Sequence, residues 1–168
     1  MKTVVMTTER LNLRKMTTDD VQNLMTIFTD REAMRYYPST MNEEETLGWI
    51  NRTLSNYEKL GVGFWIVEDK LTGRFLGQCG IIPQEFDGAD VMEIAYLFVR
   101  KEWGKGYATE SAKACKEYGL QSMGLQKMFS FIDANNTQSA RVAERNGMHV
   151  EKIITKCGKK VLVYSVSI

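Results

Sequence analysis

The stretch EWGKGYATES, residues 102–111, decides how the rest of the sequence is interpreted. Gly104 and Gly106 flank Lys105, and a run with helical character begins immediately after them. Glycines at the junction of a strand and a helix let the backbone come close to a ligand. The helix behind them offers free N–H groups and the positive end of its dipole, and both favour a phosphate. The stretch therefore indicates a phosphate-binding turn.

Neither of the two common nucleotide-binding motifs fits this turn. The Walker pattern GxxxxGK[ST] is absent, and the Rossmann pattern GxGxxG fails at its third glycine, where Thr109 stands. A lone GxG is more often a plain structural turn. Here Arg100, Lys101 and Lys105 surround it, which favours a small diphosphate ligand bound largely through main-chain N–H groups.

The chain around this turn predicts an α/β or α+β protein with one mixed sheet. A strand leads into the turn and a helix leaves it, and the full order of predicted elements is β-α-α-β-β-β-α-β-α-β-β. That order predicts about seven mostly antiparallel strands with helices on both faces. The 168 residues contain no repeat and no Pro/Gly linker, so we expect a single domain over residues 1–168.

The composition argues against some classes of partner. The net charge is +1, from 22 basic and 21 acidic residues, which is unlike a protein with a broad nucleic-acid footprint. No apolar run approaches the ~20 residues of a membrane span, and the N-terminal segment lacks the pattern of a signal peptide. We therefore expect a cytoplasmic protein, monomeric or homodimeric, with no nucleic-acid or membrane partner.

Cysteine and histidine are too few and too scattered to predict a metal site. Cys79, Cys115 and Cys157 show no CxxC spacing, which indicates reduced, structural thiols. His149 is the only histidine, and nothing near it in sequence supports a metal site or a Ser-His-Asp hydrolase. We expect no bound metal and a structural or surface position for His149.

Two longer segments resemble a known family. MEIAYLFVRKEWGKGYATESA (residues 92–112) and DANNTQSARVAERNGMHVEK (residues 133–152) resemble the acetyl-CoA-binding core of the GNAT superfamily of N-acetyltransferases. They are most similar to the branch typified by the ribosomal-protein N-terminal acetyltransferases, and the element order agrees over roughly the whole chain. Two residues depart from the pattern: Lys101 stands where the family usually has Arg or Gln, and Met148 replaces Phe.

The resemblance implies acetyl-CoA as a co-substrate. Its pantetheine arm is expected to pair with the backbone at Leu97, Phe98 and Val99, where a bulge splays this central strand from the next one, KMFSFID. The N–H of Phe98 is expected to polarise the thioester carbonyl. The pyrophosphate is expected on the loop formed by Gly104, Lys105, Gly106, Tyr107, Ala108 and Thr109.

Two further residues are implied in cofactor binding, each with a simpler alternative. Asn136 is expected to hydrogen-bond the pantetheine arm, although asparagine also suits a helix N-cap. Both roles are compatible if Thr137 caps the helix instead. Arg145 is expected either at the 3′-phosphate of CoA or in solvent, and solvent is favoured for Arg141.

Glu93 is the expected general base. It is the only carboxylate in the apolar segment VMEIAYLFV, and alternation makes both faces of that strand apolar. Strand glutamates more often face outward or lie at an edge. Many superfamily members carry a glutamate here that acts through water, so we expect a buried, functional Glu93.

Ser139 is the expected proton donor to the leaving thiolate, as the ribosomal branch implies. Many superfamily members instead use a tyrosine seven residues after Asn136, where this chain has Ala143. A helix serine bonded to its own backbone is an equally good interpretation of Ser139.

The first helix pair forms the acceptor side in this superfamily. Tyr37, in the break before Pro38, is the candidate for the substrate wall, whereas Trp49 is expected in the core. The acids of NEEET (residues 42–46) either form a groove for a cationic acceptor or simply match the helix dipole.

Two functions are therefore in competition. The leading hypothesis is an acetyl-CoA-dependent N-acetyltransferase that acts by direct transfer on a protein N-terminus or on a small amine, such as a polyamine, amino acid or aminoglycoside. The alternative is a non-catalytic acyl-CoA-binding module. Ala143 favours the alternative, whereas Glu93 and Ser139 weigh against it.

Overall fold

The computed structural model describes residues 2–168. The helices are α1 (Val21–Phe28), α2 (Glu43–Leu60), α3 (Tyr107–Glu117) and α4 (Thr137–Arg145). The strands are β1 (Val4–Thr7), β2 (Leu11–Lys15), β3 (Phe64–Asp69), β4 (Phe75–Phe86), β5 (Ala89–Phe98), β6 (Lys127–Asp133), β7 (His149–Lys156) and β8 (Lys159–Ser167). They form one sheet in the order β1-β2-β3-β4-β5-β6-β8-β7.

The predicted class, a mixed and mostly antiparallel sheet with helices, is confirmed. All neighbouring strands are antiparallel except β5 and β6. The sheet has eight strands instead of about seven because β1 pairs with β2 at the edge. Four residues are too few to show an alternating pattern, so this strand leaves no clear signal in the sequence. None of the helices described in residues 2–168 has the length and apolar character needed to cross a membrane.

The second helix begins and ends where its sequence signals predict. Asn42 is the N-cap of α2 and accepts a hydrogen bond from the N–H of Glu45, whose carboxylate accepts one from the N–H of Asn42. This reciprocal capping box satisfies two otherwise unpaired donors. Gly61 ends the helix with a φ of 76°, a left-handed conformation that glycine adopts without strain.

Helices cover both faces of the sheet. On one face, α3 packs with Ala112 and Cys115 in the larger apolar cluster, which includes Trp65 of β3. On the other face, α1 and α2 contribute Phe28 and Ile50 to a second cluster. Because α1 and α2 pack on one face and α3 packs on the other, the central strands β4 and β5 are covered on both faces.

The three cysteines do not share one environment. Cys79 and Cys115 are buried, with their Sγ atoms 3.6 Å apart, as expected for structural thiols. Cys157 is exposed in the turn between β7 and β8, with a φ of 51°. The prediction of a structural thiol is therefore wrong for Cys157.

The sheet opens between β5 and β6, as the resemblance implies for the central strand pair. The two strands pair in parallel only at Glu93 and Phe129. Beyond this point the C-terminal halves lack ladder pairing, which leaves a gap in the sheet. The pairing of β5 with β4 runs in continuous register from Ala89–Phe86 to Phe98–Gly77, so the expected bulge does not interrupt that ladder.

Candidate active site

The backbone of β5 presents hydrogen-bonding groups to the gap at every second residue. The N–H of Val99 donates to the carbonyl of Leu76, on the β4 side, at 3.0 Å. The carbonyl of Ile94 accepts from Ser130 Oγ, on the β6 side, at 2.7 Å. Since successive residues of a strand point their backbone groups to opposite sides, Tyr96 and Phe98 face the gap.

This alternation corrects part of the predicted pantetheine contact. The backbone of Leu97 lies opposite Gln78 in the β4 register, and the N–H of Val99 is already bonded to β4. Phe98 is the predicted residue whose N–H points into the gap. Its carbonyl accepts from the indole Nε1 of Trp103 at 2.9 Å, which fixes the end of the strand.

The glycine turn has the geometry that its sequence predicts. Gly104 and Gly106 have φ values of 79° and 83°, and Gly106 is the N-cap of α3. The first hydrogen bond of the helix runs from the N–H of Glu110 to the carbonyl of Gly106, at 3.0 Å. The N–H groups of Tyr107, Ala108 and Thr109 therefore have no partner within the helix and are available to an anion.

Arg10, in the turn between β1 and β2, braces this loop from a distant part of the chain. Its Nη1 donates to the carbonyl of Lys105 at 2.9 Å, and its Nε donates to Glu110 at 2.7 Å. Its guanidinium also lies 4.6 Å from the ring centroid of Tyr107. No local sequence pattern indicates this role, because Arg10 and its partners are about a hundred residues apart.

The basic residues expected around the loop are largely paired with carboxylates. Lys105 Nζ lies 3.1 Å from Glu102, and Arg74 lies 3.1 Å from the same carboxylate. Burial tends to raise the pKa of Glu102, but these two partners hold it below its usual value. Arg100 is paired with Asp30 at 3.0 Å. Of the groups at this loop, the backbone amides are therefore unpaired, whereas Arg100 and Lys105 already have carboxylate partners.

A cleft lies in front of the loop, and we call it the loop cleft. It has a volume of about 470 Å³ and is bounded by the end of β5, residues 102–109 and the first turns of α4. It brings together most of the predicted cofactor residues, but it does not include Lys105 or Val99. Those that line it are Leu97, Phe98, Gly104, Gly106, Tyr107, Ala108, Thr109, Asn136 and Arg145.

Two features of the loop cleft suit phosphate groups. Thr109 Oγ1 is buried and has no hydrogen-bond partner among residues 2–168, which is costly unless a ligand supplies one. Arg141 and Arg145 both line the cleft, are exposed and have no ion pair within the described chain. Arg141 therefore shares the cleft with Arg145, contrary to the expectation that it faces only solvent.

A second, larger cleft lies on the α2 side of β5, and we call it the Glu93 cleft. It has a volume of about 1050 Å³ and is bounded by α2, β4, β5, β6 and the turn between β7 and β8. Tyr37 lines it, as predicted for the substrate wall. The acids Glu43, Glu44 and Glu45 do not line it, because they form the first turn of α2. The predicted acidic groove therefore does not coincide with this cleft, and the helix-dipole interpretation of these acids fits.

Glu93 is buried at the wall of this cleft, with 6% of its surface exposed. One carboxylate oxygen accepts from the N–H of Phe131 at 2.7 Å, and the other accepts from Gln84 Nε2 at 2.9 Å. Burial raises the pKa of Glu93 to about 7, although these hydrogen bonds and the charge of Lys156 each lower it. A buried carboxyl that titrates near neutrality suits proton transfer.

The two clefts meet at a junction beside the gap. Six residues line both of them: Ala33, Tyr36, Tyr96, Leu97, Asn136 and Ser139. A molecule in the loop cleft can therefore reach a molecule in the Glu93 cleft without crossing the sheet.

Helix α4 contributes Asn136 and Ser139 to the junction. Asn136 is its N-cap, since Asn136 Oδ1 accepts from the N–H of Ser139 at 3.2 Å. The alternative in which Thr137 caps the helix is therefore wrong, and only the amide nitrogen of Asn136 stays available to a ligand. The Ser139 hydroxyl has no hydrogen-bond partner within residues 2–168, so the self-bonded alternative does not hold.

Two tyrosines at the junction were not predicted as site residues. The hydroxyl of Tyr96 donates to the carbonyl of Ser139 at 2.8 Å, and that of Tyr36 donates to the carbonyl of Asn135 at 3.0 Å. Both bonds tie the start of α4 to elements far away in sequence. Ala143, by contrast, is 1% exposed in the apolar cluster beneath α4, so a tyrosine there would have to displace the core.

The remaining aromatic predictions have simple outcomes. Burial raises the pKa of Tyr37 to about 12, and the nearby charge of Glu93 adds to this. Trp49 packs between Phe28 and Phe64, as expected for a core residue, and its Nε1 donates to Gln78 at 3.0 Å. Trp49 also lines the Glu93 cleft. His149 is exposed at the start of β7, in agreement with its predicted surface position.

Comparisons with known proteins define the class to which this fold and site belong. A family model described as an acetyltransferase (GNAT) domain matches residues 10–149. The uncharacterized protein YkkB of Bacillus subtilis is 45% identical over 158 residues, which cover 94% of this chain and 92% of YkkB. YnaD of Bacillus subtilis, an uncharacterized N-acetyltransferase, is 31% identical over 153 residues, which cover 90% of this chain and 86% of YnaD. The chain belongs to the GNAT family of acetyltransferases.

Solved structures share the whole fold. A GNAT-family acetyltransferase from Bacillus anthracis has a TM-score of 0.81 and 27% identity, with 99% of this chain and 98% of that chain covered. The ribosomal α-N-protein acetyltransferase RimL, in complex with coenzyme A, also has a TM-score of 0.81, with 98% of each chain covered and 16% identity. The similarity to the ribosomal-protein branch is confirmed at the level of the fold.

Proposed function

We propose that this member of the GNAT family transfers the acetyl group of acetyl-CoA directly to a primary amine while both substrates are bound. The acceptor is a protein N-terminus or a small amine. The observation that carries the proposal is the meeting of the two clefts beside a buried carboxyl. One cleft offers backbone amides for a diphosphate, and the other holds Glu93, whose pKa is about 7.

The loop cleft fits acetyl-CoA. The unpaired N–H groups at the start of α3 and the buried Thr109 hydroxyl match the hydrogen-bonding needs of a pyrophosphate. Arg141 and Arg145 offer charge to a further phosphate. The N–H of Phe98 and the amide nitrogen of Asn136 are in place to orient an arm that enters the gap. When bound, acetyl-CoA supplies an activated thioester.

Glu93 serves as the base that makes the acceptor nucleophilic. An alkylammonium has a pKa of ~10 and must lose a proton before it can attack, so a base near neutrality is needed. A carboxyl whose pKa is raised to about 7 is a stronger base than an ordinary glutamate. The proton passes to it directly or through one water.

Ser139 serves as a hydrogen-bond donor to the departing thiolate. Its hydroxyl is unpaired at the junction, where the thioester sulfur would lie. A serine hydroxyl is a weak acid, so we assign it a stabilising hydrogen bond more than a full proton transfer. Tyr96 positions this turn of α4 through its bond to the Ser139 carbonyl.

One observation favours the alternative, a non-catalytic acyl-CoA-binding module. Ala143 occupies the position where many superfamily members have a tyrosine acid, and it is packed in the core. Against this, a binding module gains nothing from a buried carboxyl beside the gap, since burying such a group costs stability.

Measurement of CoA release distinguishes the transferase from the binding module. The purified protein is mixed with acetyl-CoA and a panel of amines that contains an amino acid, a peptide, a polyamine and an aminoglycoside, and CoA is measured. Amine-dependent release that is lost in Glu93→Gln supports the proposed transferase. Tight CoA binding without release by any amine supports the binding module.

A further inference from the structure

Most of the charged residues that line the Glu93 cleft are basic. Arg52 and Lys59 reach it from α2, and Lys156 and Lys159 reach it from the two sides of the β7–β8 turn. Two carboxylates line it as well, and both are engaged. Glu93 is buried and hydrogen-bonded, and Asp133 lies 4.0 Å from Lys159.

Three of these cations have no carboxylate partner within residues 2–168. Arg52, Lys59 and Lys156 are exposed and form no ion pair there. Outside the cleft, Lys152 of β7 lies 3.1 Å from Asp87, and Lys127 of β6 is paired with Glu151. The cleft therefore holds three unpaired cations, whereas these two neighbouring lysines outside it are paired with carboxylates.

Arg52 and Lys156 lie on opposite walls of the cleft and both line it. Arg52 lies with its guanidinium 5.9 Å from the ring centroid of Trp49, at the α2 wall of the cleft. Lys156 lies on the opposite wall and is close enough to Glu93 for its charge to lower the pKa of that carboxyl. A guanidinium binds a carboxylate or phosphate with two parallel hydrogen bonds, and an ammonium binds either as a point charge.

We propose that the acceptor carries a carboxylate or phosphate in addition to its reacting amine, and that Arg52 and Lys156 bind this anionic group. The inference rests on the proposed transferase function and specifies its substrate class. A polyamine is the opposite case, because each additional ammonium would enter a cleft that already holds unpaired cations. Like-charge contacts of this kind discriminate strongly against the wrong partner.

Matched acceptors test the charge preference. CoA release is measured with glutamate, O-phosphoethanolamine, ethanolamine, spermidine, and two tetrapeptides that share an N-terminal residue but carry either acidic or lysine side chains. We expect kcat/KM for the anionic acceptors, which are glutamate, O-phosphoethanolamine and the acidic peptide, to exceed that for ethanolamine, spermidine and the lysine peptide by roughly 10-fold or more. Glutamate and O-phosphoethanolamine separate carboxylate from phosphate, and the peptides separate small from polymeric acceptors.

Charge reversal locates the subsite. Lys156→Glu and Arg52→Glu should each raise KM for the best anionic acceptor by roughly 10-fold, with a much smaller change for ethanolamine. Lys113→Glu is the matched control, because Lys113 is an exposed residue of α3 that lines neither cleft. It makes the same change in net charge and should leave both values unchanged. If Lys113→Glu had the same effect as Lys156→Glu, a general field effect would replace the proposed subsite.

The outcomes separate this inference from the proposed function. If spermidine or ethanolamine were used as well as the anionic amines, the subsite would be wrong and the transferase would stand. If no amine released CoA, the transferase function would fail, and the melting temperature would then test whether the subsite binds anionic amines. With CoA present, anionic amines should raise the melting temperature of the parent protein but not that of Lys156→Glu. No rise in the parent would overturn the subsite as well.

Discussion

The loop cleft and the Glu93 cleft meet at one junction but are built in different ways. The loop cleft offers unpaired backbone amides, presented by a glycine turn and a helix start that Arg10 holds in place. The Glu93 cleft consists of side chains from five elements, with a buried carboxyl on its wall and cations at its rim. Ligand binding by backbone should tolerate side-chain changes, whereas chemistry performed by one side chain should not.

Removal of the base should have the largest effect. Glu93→Gln keeps the size of the side chain and can still accept from the N–H of Phe131, but it cannot take a proton. We expect kcat/KM at pH 7 to fall roughly 10²–10³-fold, with acetyl-CoA affinity unchanged. Activity should recover partly at high pH, where the amine deprotonates by itself. An unchanged pH–rate profile would remove Glu93 from the mechanism.

The glycine turn should be the next most sensitive point. Gly106→Val places a branched side chain at a φ of 83°, with its Cβ 3.3 Å from Arg10 Nη2. We expect the Kd for CoA to rise roughly 30-fold, measured by titration calorimetry, because the amides are displaced.

Two matched variants control for side-chain loss and for strain. Lys105→Ala should change the Kd by less than about 3-fold, since Lys105 lies outside the cleft and pairs with Glu102. Gly73→Val introduces a similar strain, at a φ of 76°, in the β3–β4 turn and should leave CoA binding intact. Equal losses in Gly106→Val and Lys105→Ala would show that the amides are not the dominant binding groups.

Substitution of Ser139 tests the proposed role of the junction between the two clefts. Ser139→Ala removes the unpaired hydroxyl but keeps the backbone carbonyl that Tyr96 holds. We expect kcat to fall roughly 10-fold with little change in the KM for acetyl-CoA, the low end of what an acid catalyst contributes. If the variant turns over like the parent with the best acceptor, water or the acceptor's own ammonium supplies the proton.

The smallest expected effect concerns the pH at which Glu93 titrates. The hydrogen bond from Gln84 lowers the pKa of Glu93 against the larger, raising effect of burial. Gln84→Met removes that bond, so the pKa should rise further above its parent value of about 7. The active form is the ionised one, and therefore the acid limb of kcat/KM should move to higher pH while the plateau at high pH stays the same. A limb that stayed in place would assign the titration to another group.

The different construction of the two clefts explains which parts of the candidate site can be predicted from the sequence. The loop cleft comes mostly from two short segments, residues 96–109 and 136–145, so its glycines and helix starts are visible as local patterns. Glu93 is also visible, as a carboxyl within an apolar strand. The brace from Arg10 and the bond from Tyr36 to Asn135 join residues about a hundred positions apart, and no local pattern encodes them.

The Glu93 cleft was the harder part to predict for the same reason. Its charge depends on bringing α2 next to the β7–β8 turn, which only the completed sheet does. The acids at residues 43–45 looked like a substrate groove, although they lie in the first turn of α2 and serve that helix. The sheet gap at Glu93 is also a property of strand pairing, and the expected bulge does not interrupt the ladder with β4.

The central claim is that the acetyl group passes directly between the two clefts, without an acetylated protein. A route through an acetylated protein is the alternative, because Cys157 is an exposed thiol that lines the Glu93 cleft. The most direct test is the intact mass of the protein after mixing with acetyl-CoA alone, followed by addition of the best amine. We predict an unmodified protein and no CoA release until the amine is added, when both CoA and acetylated amine form. Stoichiometric acetylation of the protein, with a burst of CoA before any amine is present, would contradict the account.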